Sequence, residues 1–544
     1  MSVGERRSSG GAALVAAGIL LSRLFGLVRG RLLAHYLGVS AVNDALQAAI
    51  RIPNILQNLF GEGVLSASFI PVYARLLAQG DEEEAGKVAG AIGALLALTS
   101  TVLVLVGIVA APYVIPLIAG GFTGEKRDLT VLLVQIMFPG VGLLVMSAWA
   151  LGVLNARRKF FLSYASPVAM NVVMITVLVW RGPELAESIV GTVQLVTLVA
   201  WASVVGSMAQ VAVQLPTLLR VERRLRVSLA VGNRNVRAIL SNFLPVFIGR
   251  GVVQISAYAD GLIASFVSNG AVTLLANAQV IAVLPVSLFG MAVSASQLPA
   301  MSGELGDDAT VSAALRTRLD DGLRRIAFYV VPSSVAFFAL GDIVGGVLYQ
   351  SGRFQAHDTL WLWSVLAGSS VGLLAGTLGR LYASTWYALR NTKVPLKFAL
   401  VRVALTVGLG LVASLYLPRW IGVDARWGAA GLTASAGLAA WVEFALLRRS
   451  IAERIGALPV ESAYIRSLWG SALVAALAAL TVKVALQRWH AQEVQLLSAG
   501  SHPLLLGAIA LPLYGLTYLV LTRRNGIPEA TAVSGRIARL LRAS

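Results

Sequence analysis

The sequence predicts an all-α membrane protein of fourteen transmembrane helices, and three observations predict it. The first is composition: of 544 residues, 57% are hydrophobic and only 13% charged, with a positive mean hydropathy, which excludes a soluble globular chain and a disordered one. The second is the recurrence of apolar stretches of about 20 residues or more, long enough as helices to cross a ~30 Å hydrocarbon core. Fourteen of them begin near residues 12, 43, 87, 129, 160, 187, 238, 271, 325, 359, 395, 426, 466 and 502. The third is the concentration of Lys and Arg in alternate connections, as the positive-inside rule requires.

The elements follow in order. SVGERRSSGG leads directly into an arginine-containing apolar run with no small-residue exit site, so the first span is expected to be retained. One set of connections holds Arg157, Arg158 and Lys159, then the loop from Arg220 to Arg237, then Arg316 to Arg325, then Arg448, Arg449 and Arg454. That set is expected in the cytoplasm with both termini. The net charge of +18 then reflects topology and contact with anionic headgroups. Membrane lipids are the expected partners and nucleic acid is not. The basic loop divides a first group of six spans, residues 1–222, from a second group, residues 223–455, while residues 456–544 hold two further spans. Pro53, Pro139, Pro167, Pro245 and Pro285 fall inside spans, where a neighbour or a water-lined cavity must re-satisfy the freed backbone. The hydrophilic stretches 219–237 and 303–325 are too short to bury cores of their own, so function is expected inside the membrane.

Charges inside spans are the informative residues, because an ionised side chain at the bilayer centre costs roughly 2.5–3.5 kcal/mol on insertion scales. It persists where it meets a wet cavity, a partner or a charged ligand. In VNDALQAAIRIPNILQNLFGEG, helical spacing puts Asp44, Arg51 and Glu62 within roughly 20° of one another and Asn58 within about 40°. This polar stripe points to a substrate pathway. In the first span, Arg23 and Arg29 lie roughly 120° and about 9 Å apart. They meet in one cavity only if it is wide or if Gly26 and Gly30 bend the helix. Arginine suits a diphosphate because its planar fork offers paired donors and stays charged. Against this stands a structural reading, in which Arg29 and Arg31 anchor at the interface and Arg23 pairs with Asp44 or Glu62. The two carboxylates either hold the arginines or couple transport to protons or cations. Asp260, in QISAYADGLIASF, is either a cation-coupling group or half of an ion pair with Arg250, three turns earlier on nearly the same side.

Absences narrow the classes. With no cysteine there are no disulfides and no thiolate chemistry. No G-x-x-x-x-G-K-[ST] occurs, so no P-loop ATPase is built in, and H-E-x-x-H is also missing. The four histidines all fall near loops. A non-enzymatic transporter without metal or cofactor is expected, driven by a Na+ or H+ gradient, the membrane potential or the asymmetry of its substrate.

The segment SRLFGLVRGRLLAHYLGVSAVNDALQAAIRIPNILQNLFGEGVLSASFIPVYARLL closely resembles the amino-terminal signature of the MurJ (MviN) lipid II flippases, in the multidrug/oligosaccharidyl-lipid/polysaccharide exporter superfamily. The matching positions are Ser22 with Arg23, Arg29, Asp44 with Ala45, Arg51 with Pro53 and Asn54, Phe60 with Glu62 and Gly63, and Phe69 with Pro71. LPVSLFGMAVSASQLPAMS, YQSGRFQAHDT and WYALRNTKVPLK resemble later family segments. The resemblance implies two six-helix bundles around a cationic central cavity, with a C-terminal helix pair forming a lipid-tail groove. It further implies alternating access that carries undecaprenyl-diphosphate-linked muropeptide to the outer leaflet of a bacterial cytoplasmic membrane for peptidoglycan synthesis. Other cell-wall synthesis proteins are then expected as partners.

On that resemblance, Arg23, Arg29, Arg51, Asp44, Asn54 and Glu62 are the expected substrate-binding residues. Departures bear on the second bundle: Gln57 and Asn58 stand where the family adds an arginine, Gly30 where an acid often follows, and Gln279 and Val280 where a further cavity arginine falls. Arg250 is expected to put compensating charge there. Three other classes compete. A flippase for another polyprenyl-diphosphate-linked polysaccharide unit would tolerate the missing arginines. An ion-coupled multidrug exporter needs an acidic, aromatic-lined cavity. A polytopic transferase on the same lipid carrier needs paired acids or a sizeable outer loop.

Overall fold

The structure is a computed structural model that describes residues 3–60, 62–287, 308–389, 391–456, 462–493 and 502–543. In lipid every backbone N–H and C=O must find a partner inside the chain, and an uninterrupted helix supplies one for each. The described elements are accordingly helical, apart from one isolated bridge between Ser351 and Phe354. The first half runs α1 (Val3–Leu37), α2 (Ala41–Phe60), α3 (Glu62–Ala78), α4 (Glu82–Ile118), α5 (Gly124–Ala156), α6 (Phe160–Ala165), α7 (Pro167–Leu185), α8 (Ile189–Val221), α9 (Arg234–Val267) and α10 (Ala271–Pro285). The second half runs α11 (Asp308–Tyr349), α12 (Ala356–Ala388), α13 (Lys393–Leu411), a π turn (Val412–Tyr416) leading into α14 (Leu417–Ile421), then α15 (Gly428–Ile455), α16 (Ser462–Glu493), α17 (His502–Arg524) and α18 (Pro528–Ala543).

Among the described residues, 10 helices are long and apolar enough to cross a membrane. The expected fourteen spans are consistent with these together with α1, the α2–α3 pair, α9 and α10. Side chains set where helices start. Asp81 accepts the Glu84 N–H at 3.0 Å ahead of α4, and Ser188 accepts the Gly191 N–H at 2.9 Å ahead of α8. Each satisfies a backbone donor that the first helical turn leaves open. Pro167, which has no N–H to give, opens α7 directly after α6.

The chain forms two compact units, Met1–Thr273 and Leu274–Ser544. Counting spans divides it at residue 222 instead; the two divisions differ over α9, which packs on α3 and α4. Within the first unit α4 packs on α5, α5 on α8 and α7 on α8; within the second α11 packs on α12, α12 on α15 and α13 on α15. With α9 and α10 counted as the first two spans of the second group, third on fourth, fourth on sixth and fifth on sixth therefore recur, an internal repeat that the sequence does not display.

In the second unit the C-terminal pair α16 and α17 docks on α11 through three tyrosines. Tyr464 donates to the Arg324 carbonyl at 2.9 Å, Tyr518 to Phe328 at 2.7 Å and Tyr514 to Pro332 at 2.7 Å. Pro332 cannot donate back to Phe328 within the helix, so the Tyr518 hydroxyl supplies the bond that the proline removes. Further along α11, Leu340 leaves helical geometry (φ −125, ψ 16), and Trp363 Nε1 donates to the Phe338 carbonyl at 2.8 Å beside that kink.

Candidate transport site

In the first unit α1, α2, α5, α7 and α8 enclose a cavity of about 520 Å³. Arg23 and Arg29 both line it, with Gly26 between them. Their 120° offset is bridged by the width of the space, since α1 runs unbroken from Val3 to Leu37. Arg29 also donates to the Met174 sulfur at 3.7 Å, a soft and weak acceptor. Asn54 and Asn171 add amides, and Ser203 and Ser207 add hydroxyls. Among the described residues the Asn171 amide oxygen has no hydrogen-bond partner. Among the described residues no carboxylate lines the cavity. Two guanidinium groups, neutral hydrogen-bonding groups and an absence of acid make a chamber for a polar anion.

Asp44 is elsewhere. It is wholly buried where the α9–α10 turn meets the start of α2, and its carboxylate is fully engaged. Oδ2 accepts from Lys126 Nζ and the Gly270 N–H, each at 2.7 Å; Oδ1 accepts from the Thr273 N–H and hydroxyl, each at 2.8 Å. Lys126 also donates to Asn269 at 3.0 Å and lies 3.9 Å from the Phe122 ring centroid. The pairing of Arg23 with Asp44 weighed from sequence does not form here. Asp44 instead clasps three segments: the start of α2, the start of α5 and the α9–α10 turn.

Arg51 follows Asp44 on the same helix face and also turns away from the cavity. It lies in the field of Asp260, Tyr258 and Asp44, with Nη2 buried and without a hydrogen-bond partner among the described residues. It lies against Gly261 on α9, where an added Cβ would fall 1.7 Å from Nη1. The Asp44–Arg51 part of the polar stripe thus meets the α9–α10 turn and α9. Asn54 and Pro53, on the adjacent face, meet the cavity. Asp260 sits near Arg51. The side chains of Glu62, Asn58 and Arg250 lie outside the described residues.

At the other end of the unit is an ion network that sequence reasoning missed. Arg157 grips Glu82 with both arms, at 2.9 and 2.5 Å, and reaches Glu222 at 2.7 Å and the Tyr73 hydroxyl at 3.2 Å. Tyr73 donates in turn to Glu222, whose side chain is 1% exposed. Hydrogen bonding to Glu82 above all, then to Glu222 and Tyr73, raises the Arg157 pKa further above its ordinary value despite partial burial. A signal was present: Glu222 is a lone acid in the basic run VERRLR. Nearby, the backbone of that run crosses α4 at Gly86 and Gly90, where an added Cβ would sit 2.3 and 2.0 Å from the carbonyl oxygens of Arg224 and Arg226.

The family model described as lipid II flippase MurJ matches residues 33–500. A lipid II flippase MurJ from Burkholderia cenocepacia is 31% identical over 442 residues, spanning 80% of this chain and 82% of that protein. A probable lipid II flippase MurJ from Haemophilus influenzae is 30% identical over 411 residues, spanning 72% and 78%. Among solved structures, a lipid II flippase MurJ in an inward closed conformation shares the fold with a TM-score of 0.74 at 21% identity, over 94% of this chain and 99% of that one. An inward-facing multidrug resistance MATE transporter of the MOP superfamily is more distant, with a TM-score of 0.53 at 16% identity, over 81% and 98%.

Proposed function

Because this chain belongs to the lipid II flippase MurJ family, we propose that it carries lipid II from the inner to the outer leaflet of the cytoplasmic membrane by alternating access. The observation that carries the reading is the cavity holding Arg23 and Arg29 with no described carboxylate on its wall. A pyrophosphate needs that sign of charge, and Asn54, Asn171, Ser203 and Ser207 suit the hydroxyls and amides of a glycopeptide head. A cationic drug would meet repulsion there, which argues against the multidrug class.

The alternation of basic loops supports placing both termini, and the Arg157 network, on the cytoplasmic side. The Asp44 clasp then belongs to the outer ends of the helices. On this reading Arg23, Arg29 and Asn54 hold the head while Asp44 and Arg51 keep α2 against the α9–α10 corner, a contact that must open for release. Binding drives opening only through contacts that differ between the two states. An ion gradient or the membrane potential supplies the remaining drive.

The test is transport in reconstituted vesicles together with depletion in the host. Depletion should trap lipid II on the inner leaflet, and Arg23→Ala should cut flipping at least tenfold while the protein remains inserted and monodisperse. Full transport by Arg23→Ala, or depletion without lipid II build-up, would refute the proposal.

A further inference from the structure

The internal repeat directs attention to the second unit. There α12, α13 and α15 occupy the fourth, fifth and sixth places that α5, α7 and α8 occupy in the first unit, and α5, α7 and α8 wall the arginine cavity. On those three helices of the second unit sit Arg380, Arg402 and Glu443. Arg402 Nη1 pairs with Glu443 Oε2 at 3.0 Å, the side chains being 39% and 14% exposed. One carboxylate is thereby spent on one guanidinium. Arg380 lies in the field of both, repelled by Arg402 and attracted by Glu443. Part of its surface is exposed although packing withdraws much of the guanidinium from solvent, and among the described residues it has no hydrogen-bond acceptor or ion-pair partner of its own. The trio carries one uncompensated positive charge.

Depth narrows what can compensate it. Arg380 lies about 12 Å along the axis from the end of α12 at Ala388, inside a helix long and apolar enough to cross a membrane. An arginine with open donors at that depth is costly unless an anion meets it. The fork of a guanidinium matches two phosphate oxygens. Glu443, by holding Arg402 aside, leaves Arg380 as the group free to bind.

We propose that Arg380, flanked by the Arg402–Glu443 pair, binds a lipid-borne phosphate, and that the source is the diphosphate of the transported lipid. The source rests on the flippase reading; the phosphate site rests on the charge geometry alone. Arg380 thereby supplies the second unit with the cation that Gln279 and Val280 do not.

The experiment uses the full chain in phosphatidylcholine nanodiscs, titrated separately with undecaprenyl diphosphate and with phosphatidylglycerol, for the unsubstituted protein, Arg380→Gln and Arg380→Lys. Arg380→Gln should weaken undecaprenyl diphosphate binding at least tenfold, with phosphatidylglycerol binding unchanged. Arg380→Lys keeps the charge and loses the fork, so it should fall between the two and serves as the readout if the glutamine variant does not fold. A loss confined to phosphatidylglycerol overturns the cargo as source. Unchanged binding of both lipids overturns the site. Lipid II transport by the unsubstituted protein is measured alongside: if it is absent while Arg380→Gln still binds weakly, the flippase reading fails and the site stands. If transport is present and Arg380→Gln binds normally, the site fails alone.

Discussion

Asp44→Asn should loosen the corner where α2 meets the α9–α10 turn, and the structure sets the size of the effect. The carboxylate accepts from four donors: Lys126 Nζ, the Gly270 and Thr273 N–H groups and the Thr273 hydroxyl. Asparagine keeps the shape but replaces one acceptor oxygen with an NH2. Whichever way the amide turns, that NH2 meets two donors. Lys126 is 12% exposed and Asp44 0% exposed, so solvent screens the pair weakly. Stranding one partner of such a pair costs about 3–5 kcal/mol. An orphaned N–H costs about 1–3 kcal/mol, but the losses share one oxygen and do not add. At about 1.4 kcal/mol per tenfold, a loss of 3–5 kcal/mol lowers the protection of the Gly270 and Thr273 amides roughly 100- to 3,000-fold. Hydrogen exchange read by mass spectrometry on a peptide spanning residues 268–275, with the protein in nanodiscs, measures this directly. Adding Lys126→Met should restore much of the protection, because the stranded ammonium is gone. If exchange in that peptide stays within threefold of the unsubstituted protein, the clasp does not hold the corner and the reasoning fails.

Two further outcomes follow from the packing. Tyr518→Phe strands the Phe328 carbonyl that Pro332 has already deprived of its helical partner, and should lower unfolding stability by about 1–3 kcal/mol, read from the SDS-unfolding midpoint; an unmoved midpoint would show that this bond contributes nothing. Gly90→Ala drives a methyl to within 2.0 Å of the Arg226 carbonyl oxygen, so the loop before α9 must lift from α4. Trypsin should then cut within residues 220–237 at least threefold faster, and an unchanged rate would mean that the loop is not seated there.

Much of this protein is legible from hydropathy and helical periodicity, because both are local. Lipid demands a run of apolar residues and a satisfied backbone at each span, so span positions, basic loops and the face shared by Asp44 and Arg51 can be read along the chain. The signature around Arg23, Arg29 and Asn54 marked residues that do line the cavity. Other decisions depend on where a face points, which is set by neighbouring helices distant in sequence. Spacing left the meeting of Arg23 and Arg29 open, and the width between α1, α5 and α7 decided it. The stripe carrying Asp44 and Arg51 looked like a pathway, yet it turns to α9 because Lys126, Gly270 and Thr273 satisfy the carboxylate there.

By itself, then, the sequence determined a polytopic helical protein, its family and the two arginines that line the cavity. Tertiary structure alone decided which of the chain's cations a carboxylate takes and which line the cavity. Arg157 is taken by Glu82 and Glu222, and Arg402 by Glu443, while Arg23 and Arg29 face a chamber without described acid. Whether a charge in a membrane is satisfied depends on side chains brought within about 3 Å by packing, and no single helix carries that information.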